Sequence, residues 1–479
     1  MDSVDHQTPA TKAEEEPAPT KYAWFVLLMI VLMAICNQWQ RYAIGYAKGY
    51  TIDKSDTEKL KNPNKYEVWK EYDDFSKYYG VLSGPAFALS YSIMGIFSGV
   101  ISDKVNRKVL AGSACILWSL TTLGTGLIDS FPLMFIFRFL LGFFESPFNP
   151  CAYGIISDYF SPSYRGTANS IFNGAIYLGG ALSSLAIVMI TATGWRNTYT
   201  IIGIVGLAAG VMGLFFIIEP TRGKFEAKKA VTEKQHPFHE EKAEKTTIQK
   251  FMSASAEVCI NPTSRWVTFA ASFRFVAGYG IGFFMPAYFQ GIWPSDDYKA
   301  LYSSLNAVVV SICGFASALL GGLISDHFEK KGYYMSKAWV CIIGTALGIP
   351  TILLATMSQG ENQFYLAITG LALEYFFAES WIGPAITMVI NTISPENKGF
   401  AVSAFLFFAT IAGMISTTTL GALQDHYDAK ANPKYYGNIL AFFVVIPYAL
   451  SLPFFYLAGK SYTAHKVAEE KAKQREGML

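Results

Sequence analysis

Long apolar runs separated by short polar connections follow one another along almost the whole chain. Twelve of these runs reach roughly the 20 residues that an α-helix needs to cross the hydrocarbon core of a bilayer. They lie at 22–47, 79–101, 109–128, 131–156, 168–192, 198–218, 266–289, 303–324, 338–357, 364–390, 401–420 and 439–457. The pattern therefore predicts an all-α membrane protein with twelve transmembrane helices and both termini on one side of the membrane.

The composition agrees with a membrane protein and argues against other classes. Of the 479 residues, 52% are hydrophobic and only 15% are charged, whereas soluble domains carry about 25% charged residues. The sequence contains no zinc-spaced cluster of His and Cys, no Gly-rich phosphate loop and no nucleophile motif. We therefore expect neither an enzyme nor a bound metal or cofactor. Nor do we expect a nucleic-acid partner, since there is no soluble basic domain.

The two halves of the chain repeat the same landmarks in the same order. Arg41-Tyr-Ala-Ile-Gly returns as Arg274-Phe-Val-Ala-Gly, and Glu145-Ser returns as Glu379-Ser. The polar connections repeat too, in the paired segments Gly99-Val-Ile-Ser-Asp103-Lys-Val-Asn-Arg107 and Gly322-Leu-Ile-Ser-Asp326-His-Phe-Glu-Lys330, and Ser161-Pro-Ser-Tyr-Arg165-Gly and Ser394-Pro-Glu-Asn-Lys398-Gly. The duplication predicts two pseudo-symmetric six-helix bundles, 22–218 and 265–458.

Basic residues predict how the chain is oriented. They are concentrated in the connections after helices 2, 4, 6, 8 and 10, which places both termini in the cytoplasm by the positive-inside rule. The 48–77 loop disagrees, because its seven lysines would lie outside. Residues 1–21 are expected to be a disordered cytoplasmic N-terminus, 219–264 a charged cytoplasmic linker, and 459–479 a cytoplasmic tail.

The repeated Gly-x-x-x-Asp-Lys-x-x-Arg loop resembles the hallmark of the major facilitator superfamily. The resemblance implies that helices 1, 4, 7 and 10 line a central cavity, and that the two halves rock to open it to each side in turn. It also implies a monomer. The loop residues are then expected to form gates at the cytoplasmic ends of the helices: Asp103, Arg107, Asp326, Lys330 and Arg165.

A finer resemblance concerns helix 4, where Arg138-x-x-x-Gly142-x-x-Glu145-Ser146 is similar to Spinster-type transporters. Those proteins export lysophospholipids and sphingolipid-related amphiphiles, which implies a substrate with an anionic or zwitterionic head. Organic anion symporters of the sialin and hexuronate type share the arginine and glutamate, so proton-coupled transport of carboxylates is the alternative. A non-transporting scaffold or sensor is a third hypothesis. Both transporter families usually carry Asp-Arg in helix 1, where this chain has Gln40-Arg41.

Ionisable residues in the apolar spans are the candidate site, because a charge in the bilayer is costly unless it is paired or faces water. Arginine side chains suit phosphate or carboxylate groups. We expect Arg41, Arg274, Gln40 and Glu379 to bind substrate, and Glu145 with Arg138 to couple protons, so that substrate anion and proton compete for one arginine. Glu374 is expected to be a packing residue. The alternative is that the Arg41–Glu145 and Arg274–Glu379 pairs only hold helices together. Both the plasma membrane and endolysosomal membranes remain open as locations.

Overall fold

The computed structural model describes residues 18–53, 55–222, 247–394, 397–427 and 432–476. The expected disorder of the N-terminal tail concerns residues 1–17 for the most part, which lie outside this description, as do residues 223–246 of the linker. Twelve long helical segments occupy the described ranges. Ten of them are long and apolar enough to cross a membrane, and the other two cover residues 75–104 and 364–390.

The first six segments form one bundle, in the order that the apolar runs predict. Their bounds are α1 (Lys21–Gly49), α2 (Phe75–Ser83 and Pro85–Lys104), α3 (Arg107–Leu127), α4 (Phe131–Glu145 and Phe148–Tyr159), α5 (Pro162–Ser184 and Ala186–Thr193) and α6 (Trp195–Phe216).

The last six segments form the second bundle. Their bounds are α7 (Pro262–Ile292), α8 (Asp296–Val308, a π-helical turn Val309–Gly314, and Phe315–Lys330), α9 (Ser336–Met357), α10 (Phe364–Ala378, a 3₁₀ turn Glu379–Trp381, and Ile382–Ile390), α11 (Lys398–His426) and α12 (Pro433–Glu476). The predicted all-α membrane fold is confirmed.

Helix α12 runs well beyond its predicted apolar span and continues to Glu476. Hydrogen bonds hold its polar extension against the second bundle: Tyr334 in the α8–α9 connection donates to Glu470, and Tyr462 donates to Glu329. Lys466 also pairs with Glu469 at 3.0 Å, one turn along the helix. The charged sequence after Leu457 thus extends the helix past the bilayer and packs it against the second bundle.

Breaks in α4 and α10 fall beside the candidate glutamates. In α4 the helix ends at Glu145 and restarts at Phe148, because Pro147 and Pro150 cannot donate the backbone hydrogen bonds that would continue it. In α10 the break starts at Glu379 itself. Broken spans leave backbone carbonyls available inside the bundle, where side chains can satisfy them.

The start of α1 and the end of α12 lie at one face of the molecule, which we call the terminal face. The start of α1 meets the end of α6 there, with the Tyr22 hydroxyl donating to the Phe216 carbonyl at 2.7 Å. The start of α7 meets α12 through Thr263 and Ser461, whose hydroxyl oxygens are 2.8 Å apart. The opposite end of the bundles is called the far face.

Hydrogen bonds between described residues that join the two bundles all lie toward the far face. Tyr79 donates to the Phe283 carbonyl at 2.7 Å, and Ser184 and Ser303 exchange hydrogen bonds between hydroxyl and carbonyl at 2.8 and 2.6 Å. The others have these partners: Tyr46 with Asn306, Lys48 with Gln424, Asp53 and Lys59 with Asp296, and Thr51 with Lys299. The far face is therefore closed.

The described residues between α1 and α2, 50–53 and 55–74, lie across the far face and contact both bundles, and we call them the 50–74 loop. On the second bundle, Lys59 pairs with Asp296 at 3.0 Å. Burial lowers the pKa of Lys59, but hydrogen bonds to Asp56 and Asp296 outweigh that and leave the pKa above its ordinary value. On the first bundle, Glu71 accepts from Arg196 at 2.5 Å. The lysines that conflict with the positive-inside rule thus include two, Lys48 and Lys59, that connect the bundles.

A surface helix, Thr247–Ile260, precedes α7 at the terminal face. Glu257 on this helix accepts hydrogen bonds from Ser394 and Asn397 in the α10–α11 connection, the shortest from the Asn397 amide at 2.5 Å. Burial raises the pKa of Glu257, but these hydrogen bonds outweigh it and hold the pKa below its ordinary value. The described end of the linker is therefore anchored to the second bundle.

Candidate functional site

The first bundle contains a tight ion pair between α1 and α4. Arg41 donates from Nη2 and Nε to the same oxygen of Glu145, at 2.7 and 3.0 Å. The guanidinium also lies 4.7 Å from the ring centres of both Phe87 and Tyr91 on α2, a distance at which a cation is attracted to an aromatic face. The other oxygen of Glu145 has no hydrogen-bond partner among the described residues.

Arg138 lies two turns before Glu145 on α4 but pairs with backbone rather than with carboxylate. Its Nη2 donates to the Arg41 carbonyl at 2.7 Å, and its Nε donates to the Leu82 carbonyl at 3.3 Å. These bonds fix α4 against α1 and α2. The structure thus brings Arg41, Glu145 and Arg138 together, as expected, but places Arg138 behind the pair as a positioning residue.

Gln40 does not face the bundle interface, contrary to its expected contact with substrate. Its amide nitrogen donates to the Ser119 hydroxyl and the Ile202 carbonyl, both at 3.2 Å, and its amide oxygen accepts from Thr122 at 2.9 Å. Neighbouring residues on a helix point about 100° apart, so Arg41 can face the centre while Gln40 is buried against α3 and α6. Gln40 holds the first bundle together.

The second bundle has a looser version of the same pair. Arg274 on α7 donates to the Ala378 carbonyl at the α10 break, at 2.6 Å, and approaches Glu379 only to 4.0 Å. Its guanidinium carbon lies 4.0 Å from the ring centre of Tyr448 on α12. Two of its nitrogens, Nε and Nη1, have no hydrogen-bond partner among the described residues.

Glu374 belongs to this second cluster, although the sequence indicated only a packing role. It is fully buried and accepts a 2.6 Å hydrogen bond from the Tyr448 hydroxyl. Tyr448 therefore touches both Glu374 and Arg274, and its role was missed because a tyrosine in an apolar span carries no distinctive signal. The cluster consists of Arg274, Glu374, Glu379 and Tyr448.

The two bundles expose groups of opposite charge. In the first, the Arg41 side chain is 13% exposed while Glu145 is 0% exposed, so the cation is the accessible member of the pair. In the second, Glu379 is 27% exposed while Arg274 is 2% exposed, so the carboxylate is the accessible member. A molecule between the bundles meets a cation on one side and an anion on the other.

Tyrosines occupy the space between these groups. Tyr42 on α1 lies within electrostatic range of both Glu145 and Glu379, and its ring centre is 5.2 Å from that of Phe283 on α7. Tyr177 on α5 lies within range of Glu379. Because a tyrosine presents both an apolar ring and a hydroxyl, this lining can pack against carbon atoms and hydrogen-bond to oxygens.

The described gate residues of the first bundle make contacts within that bundle. Arg107 is buried and pairs with Asp158 at 2.7 Å and with Glu219 at 2.9 Å, which ties α3 to the ends of α4 and α6. Arg165 donates to the Ser157 carbonyl at 2.7 Å. The side chain of Asp103, another expected gate residue, lies outside the described part of the chain.

In the second bundle the expected partner of Asp326 is replaced by another lysine. Lys330 is exposed, whereas Lys337 on α9 is fully buried and pairs with Asp326 at 2.5 Å and with Glu329 at 2.9 Å. The sequence repeat pointed to Lys330, because Lys337 stands outside the repeated motif. The described gate residues thus stabilise the terminal ends of their own bundles.

Two helical bundles that enclose charged, partly exposed groups between them define a multi-pass membrane transporter. Residues 30–417 match the Major Facilitator Superfamily, and the chain belongs to that family. The predicted family is confirmed, and with it the expectation that the protein is a transporter and not an enzyme. Among the described residues, no group of three His, Cys, Asp or Glu side chains is placed to hold a metal ion.

Several curated relatives are transporters of acid sugars. A probable galactarate/D-glucarate transporter of Escherichia coli strain K12 is 27% identical over 444 residues, which cover 88% of this chain and 91% of the relative. A hexuronate transporter of Bacillus subtilis is 26% identical, covering 71% of this chain and 78% of the relative.

Solved structures show the same fold. A bacterial homologue of the human lysosomal transporter Spinster, in an inward-facing and unoccupied conformation, matches with a TM-score of 0.68 at 20% identity, covering 94% of this chain and 98% of its own. A D-xylose–proton symporter matches with a TM-score of 0.62 at 16% identity, covering 90% and 97%. At these identities the likeness shows that the chain shares the fold of both proteins.

Proposed function

We propose that this protein moves small polyhydroxylated carboxylates, of the sugar-acid class, across a membrane by alternating access. The observation that carries the proposal is the partly exposed Arg41 guanidinium between the bundles, opposite the partly exposed Glu379. A substrate carboxylate would bind Arg41 in competition with Glu145, and a substrate hydroxyl would donate to Glu379. The curated relatives that carry galactarate, glucarate and hexuronates support this substrate class.

The tyrosine lining fits the same class. Tyr42 and Tyr177 offer hydroxyls for the hydroxyl groups of an acid sugar, and their rings can cover its C–H faces. Sites that hydrogen-bond their substrate reject analogues that leave buried polar groups unpaired. We therefore infer that the hydroxyl groups of the substrate matter as much as its carboxylate.

A zwitterionic amphiphile, the substrate first implied by the sequence, is the second candidate. The opposed charges favour it, because a phosphate could bind Arg41 while a quaternary ammonium lies against Glu379 and Tyr42. The structural likeness to the Spinster homologue supports the fold on which such a substrate would be carried.

The closed far face fits one state of the transport cycle. With both termini in the cytoplasm, as the basic connections predict, the far face is the outside or the lumen, and its closure fits a state that is shut on that side. We propose that the protein works as a monomer in this cycle.

The test is counterflow of labelled D-glucarate in proteoliposomes that contain the purified full chain. Proteoliposomes with wild-type protein, preloaded with unlabelled glucarate, should accumulate the label. Arg41→Ala should reduce the initial rate at least 100-fold, since it removes the cation that binds the substrate carboxylate. Arg265→Ala is the matched control, because Arg265 is exposed at the terminal face. Lysophosphatidylcholine is tested in parallel.

The outcomes separate the candidates. Glucarate exchange that depends on Arg41 supports the sugar-acid proposal. If the protein exchanges lysophosphatidylcholine but not glucarate, the result supports the zwitterionic amphiphile as the substrate. Retention of full glucarate exchange in Arg41→Ala would show that the carboxylate does not bind where we place it.

A further inference from the structure

The six ionisable residues within the spans are divided unequally between the bundles. The first bundle holds two arginines and one carboxylate: Arg41, Arg138 and Glu145. The second holds one arginine and two carboxylates: Arg274, Glu374 and Glu379. With every group ionised, one cluster carries one excess positive charge and the other one excess negative charge.

The negative charge of the second carboxylate in the second bundle is poorly balanced by nearby cations. Arg274 binds the Ala378 carbonyl at 2.6 Å and stays 4.0 Å from Glu379. Glu374 is fully buried, one of its oxygens accepts only from Tyr448, and the other has no hydrogen-bond partner among the described residues. Burying a second carboxylate beside one shared arginine is costly unless one of the two binds a proton.

By contrast, the carboxylate of the first bundle is well compensated. Glu145 receives two hydrogen bonds from Arg41, at 2.7 and 3.0 Å, and Arg138 lies close by. Two positive charges around one carboxylate favour its ionised form. The first bundle is therefore the poorer place to bind a proton while the Arg41–Glu145 pair is closed.

Charged and titratable groups reach the second cluster from five helices. They are Tyr448 from α12, Arg274 from α7, Cys341 from α9, Tyr177 from α5, and Tyr42 from α1, with Tyr375 adjacent on α10 itself. Arg274 is the only one of these described groups that is a cation. Proton binding is thus the available route to neutrality, and Glu379, whose side chain is 27% exposed, gives the proton access.

We propose that the carboxylate pair Glu374–Glu379 of the second bundle binds the proton that drives transport. This inference rests on the proposed function and names its coupling site. It moves the coupling proton away from Glu145, where the sequence analysis had placed it, and it accounts for Gln40 at the helix 1 position where related families carry aspartate. No carboxylate is needed there if the second bundle supplies the proton.

The coupling follows from charge balance. One proton taken from water at the open face neutralises the second cluster and leaves the two clusters together with one excess positive charge. A singly charged acid sugar that binds Arg41 then brings the total to neutrality, and a doubly charged one such as glucarate does so together with a second proton on the glutamate pair, which favours closure of the bundles around it. Once the bundles open to the other side, loss of the proton restores the negative charge near Glu379 and favours release of the anion.

The experiment uses the purified full chain with Glu374→Gln, Glu379→Gln and Tyr448→Phe. Glu361→Gln, an exposed change in the α9–α10 connection, is the control. Difference infrared spectra between pH 5 and pH 8 report a protonated carboxylic acid directly, whether or not a substrate is known. Proteoliposomes then report glucarate counterflow without a pH gradient, glucarate accumulation with one, and proton entry by an enclosed pH-sensitive dye.

We expect wild-type protein and the control to show a carboxylic acid band and coupled proton entry. Glu374→Gln or Glu379→Gln should remove the band and lower gradient-driven accumulation at least tenfold while counterflow continues. Tyr448→Phe should shift the band with Glu374 retained, which keeps the test valid if a glutamine variant fails to fold. An unchanged band in all three variants, or proton entry that survives in both glutamine variants, would overturn the proposal. A wild type without glucarate counterflow would count against the proposed function alone, since the infrared band still tests the proton site.

Discussion

Replacing Lys299 by methionine should open the far face. The ammonium of Lys299 is buried at the start of α8, 3.0 Å from Asp296, and it donates to the Thr51 carbonyl in the 50–74 loop. Methionine keeps the length of the side chain but removes the charge and its hydrogen bonds. Since this loop also holds the first bundle through Glu71, the change weakens a connection between the bundles.

The size of the effect follows from what remains after the substitution. Hydrogen bonds to charged groups contribute about 1.5–3 kcal/mol each. Asp296 keeps Lys59 as a partner at 3.0 Å, so the change does not leave its carboxylate unpaired. A net loss of about 2 kcal/mol from the closed state would lower the ratio of closed to open molecules about 30-fold, because 1.4 kcal/mol corresponds to a factor of ten.

The distance between the bundles at the far face measures this ratio. Spin labels at Leu127 and Asn362, both exposed and one in each bundle, allow double electron–electron resonance in protein freed of its native cysteines. Lys299→Met should add a longer distance to the distribution, while Lys61→Met, a change at an exposed lysine of the same loop, should not. An unchanged distribution together with a lowered melting temperature would refute the reasoning, since Lys299 would then stabilise its own bundle only.

Three further changes test the packing at the two faces. A Cβ at Gly80 would lie 2.5 Å from a backbone carbonyl oxygen of α11, so Gly80→Ala should separate the bundles in the same resonance experiment, whereas Gly278→Ala, with nothing within 4 Å, should not. Glu257→Gln should lower the melting temperature at neutral pH, by the equivalent of about 1 kcal/mol. Because the pKa of Glu257 is held below 4.5, that difference is fully present above pH 4.5 and disappears as the pH falls through the lowered pKa. Lys337→Met should cost about 2–4 kcal/mol in chemical unfolding, since it removes a buried charge with two carboxylate partners, and Lys330→Met should cost less than about 0.5 kcal/mol.

The fold followed from the sequence because bilayers impose a simple rule. Apolar runs of the required length must form helices, and the duplicated landmarks fix where one bundle ends and the next begins. The breaks in α4 and α10 lie close to proline residues that the sequence shows directly, Pro147 and Pro384. The length of α12 was not predicted, because charged residues after Leu457 look like the end of a span and continue as a helix outside it.

The site followed only in part, because a linear pattern shows which helix carries a charge but not which way it points. Arg41 and Glu145 had been paired on the grounds that isolated charges are costly in a membrane, and the pair is present at 2.7 Å. The prediction that Gln40 binds substrate was wrong, because the direction of its side chain depends on how α1 is rotated against α3 and α6. Lys337 was missed because the turn between α8 and α9 brings it back to Asp326, which spacing along the chain does not reveal.

Helix α1 connects the candidate site to the closed far face. It runs without a break from Lys21 to Gly49, so that Arg41, Tyr46 and Lys48 move together as one body. Tyr46 accepts from Asn306 at 2.9 Å and Lys48 donates to Gln424 at 3.0 Å, both across the interface between bundles. A substrate that draws Arg41 away from Glu145 therefore strains these far-face bonds directly. Because they are few and polar, a shift of the continuous helix can exchange them for water, and binding at the centre is thereby linked to opening at the edge.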